Sequence, residues 1–368
     1  MSSSQTYSPF RSVLLREWRR MTSRRLYFGV CIILPLFTLF FMATIFGNGQ
    51  MENIPIGIVD QDNTASSRAI ARNISAVPTF KVTRHFVNEE AARKAVQKKE
   101  IYGYLSIPPK FEQDAISGKN ATLSYYYHYA LLSVGGELMA AFETSLAPVS
   151  LSPIVMQAVA LGVEQDKITT FLLPVQASNH PIYNPSLDYS VYLSQPFFFV
   201  LFQVLILLIT VYAVGIEIKF RTADEWLFVA KGNMVTAVLG KLLPYTIIFI
   251  LIGWLANYVM FGILHIPFQG SWLLMNMLTA LFVVATQALG LFLFSLFPAI
   301  SLIISIVSMV GSLGATLSGV TFPVTNMYPL VRDASYLFPV RHFTEMMQNM
   351  LYGGSGFIYL WPSVVILC

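Results

Sequence analysis

Charge is what this sequence has least of. Only 11% of its 368 residues are Asp, Glu, Lys or Arg, against 55% hydrophobic, and the mean hydropathy is +0.61. A soluble domain has about a quarter of its residues charged, so a chain this apolar must place much of itself in lipid. Cysteine is nearly absent. Cys31 and Cys368 both lie in apolar runs, which excludes a disulfide framework and a cysteine-based metal site. No G-x-x-x-x-G-K-[ST] occurs, so the chain has no P-loop with which to cradle a nucleotide. The histidines, His85, His128, His180, His265 and His342, form no H-E-x-x-H or H-x-x-x-H pair, which argues against a zinc site or a histidine-based triad. The net charge is only +4, and six of the 23 Lys and Arg precede Tyr27. The basic balance is therefore a local topology signal rather than a surface for nucleic acid.

What is present begins with residues 8–25, where Phe10, Val13, Leu14, Trp18 and Met21 alternate at helical spacing with Arg11, Arg16, Arg19, Arg20, Arg24 and Arg25. The spacing predicts an amphipathic helix within 1–26 lying on the cytoplasmic surface, or simply the basic flank that a first span needs; both put the N-terminus inside. Residues 27–46 carry no charge over a length that crosses a bilayer, with Pro35 as a point of kinking. They are too long and too Phe-rich for a cleaved signal, so they read as a permanent span. From 47 to 190 the composition changes, with 11 Lys and Arg and 13 Asp and Glu among short alternating segments. Strands are predicted at 54–60, 80–86, 101–108 and 121–129, with helices over 66–75, 89–98 and from about 133, the last interrupted by Pro148 and Pro153. That order predicts an α+β domain, outside the cytoplasm because it follows one span. Asp60, Asp62 and Thr64 have the alternate spacing of a calcium loop. Ala65 and Ala71 stand where glycine and glutamate are required, so Asp62 or Asn63 is expected to shape a turn and Ser66 to cap the next helix.

Further apolar stretches at 196–216, 242–263, 272–297 and 299–322 predict four more spans, and a sixth begins at 357. The 12 residues from there to Cys368 are fewer than the ~20 needed to cross, so the sixth helix is expected to continue beyond the sequence. Lys219, Arg221 and Lys231 fall in the 217–240 loop, with Lys241 at its edge, whereas the loop around His265 to Gly270 has no Lys or Arg; loop charge and span parity therefore agree. Residues 323–355 are left as an outer loop or re-entrant segment. No Asp, Glu, Lys, Arg or His falls inside the five complete spans, which disfavours ion coupling. The polar residues there are Gln203, Asn257, Asn276 and Gln287, which either hydrogen-bond between helices or line a substrate path.

The stretch after the second span, EIKFRTADEWL, resembles the ATPase-docking segment of the ABC-2 type permeases, a glutamate followed by Gly-Thr-x-Glu-x-Leu. Glu217 and Thr222 match, Asp224 stands for the second glutamate, Arg221 for the glycine and Lys219 for an acidic residue. GKLLPY (240–245) is similar to the family's start of the third span. LSGVTFPVTNMYP is similar to L-S-G-x-x-F-P-x-x-x-M-P through Leu317, Ser318, Gly319, Phe322, Pro323, Met327 and, one residue late, Pro329. FPVRHF, which contains Pro339, and LYGG follow it, and IVDQDNTASSR (58–68) is family-like as well. The resemblance covers nearly the whole chain. It implies an α-helical polytopic membrane protein with six transmembrane helices and an inserted α+β extracytoplasmic domain, in the bacterial inner membrane with its N-terminus cytoplasmic. It further implies the permease subunit of an ATP-binding-cassette exporter of the drug- and lipid-export branch, paired with a second permease as a homo- or heterodimer. This chain would bind no cofactor; ATP and Mg would be held by separate ABC ATPase subunits. The remaining expected partners are membrane lipids and, where the route extends outward, a periplasmic adaptor. Residues 217–227 would dock on the ATPase, with Glu217 and Asp224 meeting cationic or amide groups and Trp226 and Leu227 as the apolar anchor. The bland alternative is a basic loop that only sets topology. The rival from another class is a receptor or anchor whose outside domain binds a partner.

Overall fold

The computed structural model describes residues 8–23, 25–45, 49, 51–117, 119, 121–160, 188, 190–353 and 357–368. They fall into two compact units, one formed by Met1–Gly49 with Pro181–Cys368 and the other by Gln50–His180. Residues 161–187 of the expected outer domain, and the last glycine of LYGG, lie outside the described residues. The chain opens with α1 (Pro9–Ser23), whose buried positions Val13, Glu17 and Met21 recur every four residues. That is the spacing of one helical face, and it carries a carboxylate inward with the apolar side chains. Arg25–Phe28 leads into α2 (Gly29–Ile45), whose first turns, Gly29–Ile33, are π-helical. The wide turn sits just before Pro35, whose missing N–H interrupts the regular ladder.

In the Gln50–His180 unit, β1 (Ile54–Asp60), α3 (Ala65–Ser75), β2 (Phe80–Phe86), α4 (Glu89–Gln97), β3 (Gly103–Ile107), α5 (Phe111–Ile116), β4 (Ser124–Tyr127) and α6 (Leu132–Ala160) follow in turn. The sheet order is β2-β1-β3-β4, with the first three strands parallel and β4 antiparallel to β3. The central strand β1 is apolar almost throughout, as a strand covered on both faces must be. Ile70 and Ile74 of α3, with Phe111, Leu138 and Phe142, cover one face; Ala92 and Ala95 of α4 cover the other. The expected α+β class is therefore corrected to a parallel α/β arrangement with an antiparallel edge. Alternation of strand and helix brings successive strands back parallel, whereas α+β segregates them. Pro148 and Pro153 do not interrupt α6, since an interior proline can bend a helix without ending it. Nor does Ser66 cap α3. Thr64 does, accepting the Ser67 N–H at 3.2 Å, while the Thr64 N–H donates to Ser67 Oγ at 3.0 Å.

The remaining helices are α7 (Tyr192–Lys219), α8 (Ala223–Val229), α9 (Met234–Ile263), α10 (Trp272–Leu296), α11 (Ile300–Leu317), α12 (Pro329–Ser335), α13 (Pro339–Gly353) and α14 (Trp361–Leu367). Among the described residues α7, α9, α10 and α11 are long and apolar enough to cross a membrane, and α2 is a shorter apolar helix. Helix α9 begins well before the expected Leu242 because Asn233 Oδ1 accepts the Thr236 N–H at 3.0 Å and caps an earlier turn. Helix α11 ends at Leu317 rather than 322; Gly319 follows at φ 86°, a left-handed conformation that glycine enters freely. The segment expected as loop after it holds two helices, α12 and α13. Phe199, Phe282 and Phe343 lie within 4.4–5.8 Å centroid to centroid and join α7, α10 and α13.

Lipid tails are as apolar as leucine, so helices in a membrane associate by close packing at small residues rather than by burial from water. A Cβ on Gly253 of α9 would stand 2.6 Å from Thr279 Cγ2, and one on Gly311 of α11 would stand 2.7 Å from Val204 Cγ2. Both neighbours are β-branched and stiff. Gly253→Ala and Gly311→Ala are each expected to destabilise the helical unit by about 1–3 kcal/mol through overpacking. Gly29→Ala, with open space around its Cβ, is the control. Thermal unfolding of the purified variants checks this.

Candidate functional site

The first turns of α9, the last turns of α7 and the buried face of α1 meet at a cluster of charges. Lys241 Nζ of α9 lies 2.6 Å from Glu17 Oε2 of α1 and 2.7 Å from Glu217 Oε1 of α7. Arg16 donates to both oxygens of Glu217, at 3.0 and 3.1 Å, and Arg20 and the Thr222 hydroxyl also donate to that carboxylate. The Tyr245 hydroxyl donates to Glu17 Oε1 at 2.7 Å. Lys241 and both glutamates are essentially unexposed (0%, 1% and 0%), while Arg16 and Arg20 reach in from the edge. Ions taken from water cost several kcal/mol each, and only a group of donors that saturates the carboxylates offsets that. Here every carboxylate oxygen has a donor. Burial works against the Arg20 guanidinium, but Glu217 and Glu17 outweigh it and raise its pKa.

Local sequence explains how the elements approach. A Cβ on Gly240 would stand only 3.0 Å from Val13 Cβ, so glycine lets α1 lie close to α9 and sets Lys241 beside Glu17. Helix α8 is tied to the same place. The Trp226 ring centroid is 5.4 Å from Lys241 Nζ, and the indole N–H donates to the Ala237 carbonyl at 3.1 Å.

This geometry corrects several expectations. Glu217 and Trp226, expected at the partner surface, are interior, at 0% and 4% exposure; the cations that Glu217 meets belong to its own chain. Leu227 is half-buried, and the exposed side chains of α8 include Asp224, Glu225 and, at 83%, Phe228. The helices run past the expected span ends, α7 to Lys219 and α9 from Met234, so Glu217 and Lys241, each one residue outside an uncharged span, lie within helices. Glu17, Arg16, Arg20, Lys241 and Tyr245 were not singled out as site residues by sequence. The available signal was Glu17, the one acidic residue before Glu52, standing four residues from both Val13 and Met21.

The polar residues of the apolar helices make links between them. Gln203 Oε1 accepts the Val340 N–H at 2.8 Å. Asn257 donates to Asn276 Oδ1 at 3.1 Å and to Thr279 Oγ1 at 3.0 Å, and accepts from Gln195 at 3.3 Å. The Thr246 hydroxyl donates to Gln287 Oε1 at 2.7 Å. Each of Gln203, Asn257, Asn276 and Gln287, read as interhelical bonds or as a substrate path, thus bonds to a neighbouring helix. Of the motif after α11, Leu317 is half-buried and closes that helix, and the Ser318 carbonyl accepts the Thr344 hydroxyl of α13 at 2.7 Å. Gly319 makes the turn, Phe322 and Pro323 are exposed, Met327 is half-buried, Pro329 opens α12 and buried Pro339 opens α13. Ser318, Gly319 and Pro323 border a polar cavity of about 740 Å³ with Tyr192, Arg332 and Arg341.

The profile of the family described as ABC-2 family transporter protein matches residues 25–368. Over 337 residues the chain is 21% identical to the "Inner membrane transport permease YhhJ" of Escherichia coli K12, covering 87% of this chain and 82% of that protein. Over 364 residues it is 21% identical to the "Probable multidrug ABC transporter permease YbhS" of the same organism, covering 97% and 92%. No solved structure matches the chain. With the family match running over most of its length and four helices able to cross a membrane, the chain belongs to the ABC-2 transporter family and is a membrane-embedded transport permease.

Proposed function

We propose that the chain is the permease subunit of an ATP-binding-cassette exporter that moves a hydrophobic or amphipathic compound across the inner membrane, powered by separate ATPase subunits. The observation that supports this most directly is the mounting of α8. One side presents Asp224, Glu225 and Phe228, and the other is held through Trp226 and Thr222 to the Glu17–Glu217–Lys241 cluster. A partner pressing on α8 would move α1, α7 and α9 together, because a buried, saturated ion cluster does not yield piecemeal. Closure of the ATPases on ATP would thus tilt the bundle of each permease in a homo- or heterodimer. The transported compound and ATP would favour different states, as any such cycle requires. No residue of this chain is assigned a chemical step; ATP and Mg belong to the partner. A relative named as a multidrug permease supports an apolar cargo.

In this reading α2, α7, α9, α10 and α11 cross the membrane and α14 lies at a sixth crossing, with α8 inside and the Gln50–His180 unit outside. Single cysteines at Ser124 and Gln269 are expected to react with an impermeant thiol reagent on intact cells, and one at Thr222 only after permeabilisation. The background must lack the exposed Cys368, whereas Cys31 is buried. Labelling at Thr222 in intact cells would overturn the arrangement. The functional test is hydrolysis. The purified chain alone is expected to be inert toward ATP, and the complex with the ATPase encoded beside its gene to hydrolyse it. Turnover by the isolated chain would end the proposed division of labour.

A further inference from the structure

The Gln50–His180 unit has a cleft with no part in the coupling described above. It is a cavity of about 880 Å³ at the carboxyl ends of β1 and β2, walled by α3. In parallel α/β sheets that end of the strands is where ligands are held. Arg68 and Arg72 line it one helical turn apart, with His85, Phe86 and Val87 at the end of β2. Asp60 is the one carboxylate in the lining, and its oxygens are already engaged. Oδ1 accepts the N–H groups of Asp62 and Asn63 at 3.1 and 3.0 Å, and Oδ2 accepts the Ser67 hydroxyl at 2.7 Å. Neither arginine has an ion-pair partner among the described residues. Arg68 is aimed by a 2.8 Å bond to the Asn63 carbonyl. The turn that carries it is braced further, because Asp62 Oδ2 accepts the Thr64 hydroxyl at 2.7 Å and the Glu112 N–H of α5 at 3.1 Å. The cleft is thus electropositive and held in shape before any ligand arrives. It also has an apolar lip: Val87, beside Phe86, is 89% exposed, the most exposed large apolar side chain among the described residues of this unit.

We infer that this cleft binds a phosphate group carried on an apolar stem. Two guanidinium forks a turn apart match the several oxygens of a phosphate better than a single carboxylate does, and His85 adds a ring donor. Phe86 and Val87 take the stem. The same chemistry comes from a phospholipid headgroup or from a soluble phosphate ester. The site stands apart from the export reading, and neither depends on the other.

The test uses the full chain in phosphatidylcholine nanodiscs, titrated with hexyl phosphate. Binding is expected to exceed that of inorganic phosphate and of hexanol by tenfold or more. Arg68→Gln combined with Arg72→Gln should weaken it at least tenfold, whereas Lys94→Gln, which removes the same kind of charge from α4, should leave it unchanged. Arg72→Gln alone, at an exposed position whose side chain has no hydrogen bond among the described residues, should weaken it severalfold with an unchanged unfolding midpoint. Phosphatidic acid added to the nanodisc assigns the site to a lipid headgroup if it competes, and to a soluble ester if it does not. Equal binding by the double variant, or inorganic phosphate binding as tightly as hexyl phosphate, would overturn the inference.

Discussion

Glu217→Gln is expected to destabilise the helical unit by about 3–5 kcal/mol, the usual cost of breaking a buried ion pair from one side. Glutamine fills the same space but answers the cations with one carbonyl and an amide NH2, and the latter faces donors it cannot satisfy. Arg16 and Arg20, at 24% and 17% exposure, can turn toward water. Lys241 cannot; it is fully enclosed and is left with Glu17 alone. Lys241→Met is expected to cost less, because Glu217 keeps both arginines and Glu17 keeps the Tyr245 hydroxyl. The double variant removes one charge of each sign, so it should be more stable than the sum of the single costs by about 1–3 kcal/mol, the range for directly coupled residues. Denaturation midpoints of the four purified proteins close this cycle, and strictly additive costs would show that Glu217 and Lys241 act independently.

Much of the fold could be read locally. β1 follows from its apolar run, β2 from Phe80, Val82 and Phe86 alternating with polar residues, α3 from its capping turn, and the four long helices from uninterrupted apolar length. What could not be read is which charges are inside. Glu17 and Lys241 are 224 residues apart, so no spacing rule joins them. Each alone looks like an ordinary juxtamembrane charge, and Lys241 fits the positive-inside pattern as well as it fits a buried partner. Trp226 poses the same ambiguity, since an aromatic residue on a short helix has one sequence signature whether it faces a partner or its own bundle. The class of the Gln50–His180 unit was missed for a related reason: apart from the unpredicted α5 the order of helices and strands was legible, but pairing direction is a long-range property that follows from the crossovers. The polar residues of the spans were legible as well, and each of the four bonds to a neighbouring helix. A short helix does follow α7, and on it the expected anchor Trp226 is interior in exchange for an exposed Phe228.

That exchange produces the sharpest test of α8. Trp226→Ala is expected to cost about 3–5 kcal/mol, as removal of a buried tryptophan does. It leaves a void beside Lys241 and takes the indole donor away from the Ala237 carbonyl, so the variant should fall in abundance and lose function through misfolding rather than through lost docking. Trp226→Phe keeps a ring near Lys241 while giving up the indole N–H, and should lose only about 1 kcal/mol. Phe228→Ala is expected to behave in the opposite way. At 83% exposure the ring adds little to the fold, so stability should stay within about 0.5 kcal/mol of wild type. As the protruding apolar group between Asp224 and Glu225 on one side and Lys231 on the other, it is the side chain a partner cleft would close on, and interface anchors of this kind carry about 2 kcal/mol or more, some thirtyfold in affinity. Recovery of the ATPase with Phe228→Ala should therefore drop by that factor at normal membrane abundance, with export falling alongside. Asp224→Lys with Glu225→Lys should do the same through reversed charge. If both variants retain the ATPase fully, α8 is not the face on which the partner pushes, and the charge cluster behind it serves only to hold α1 against the bundle.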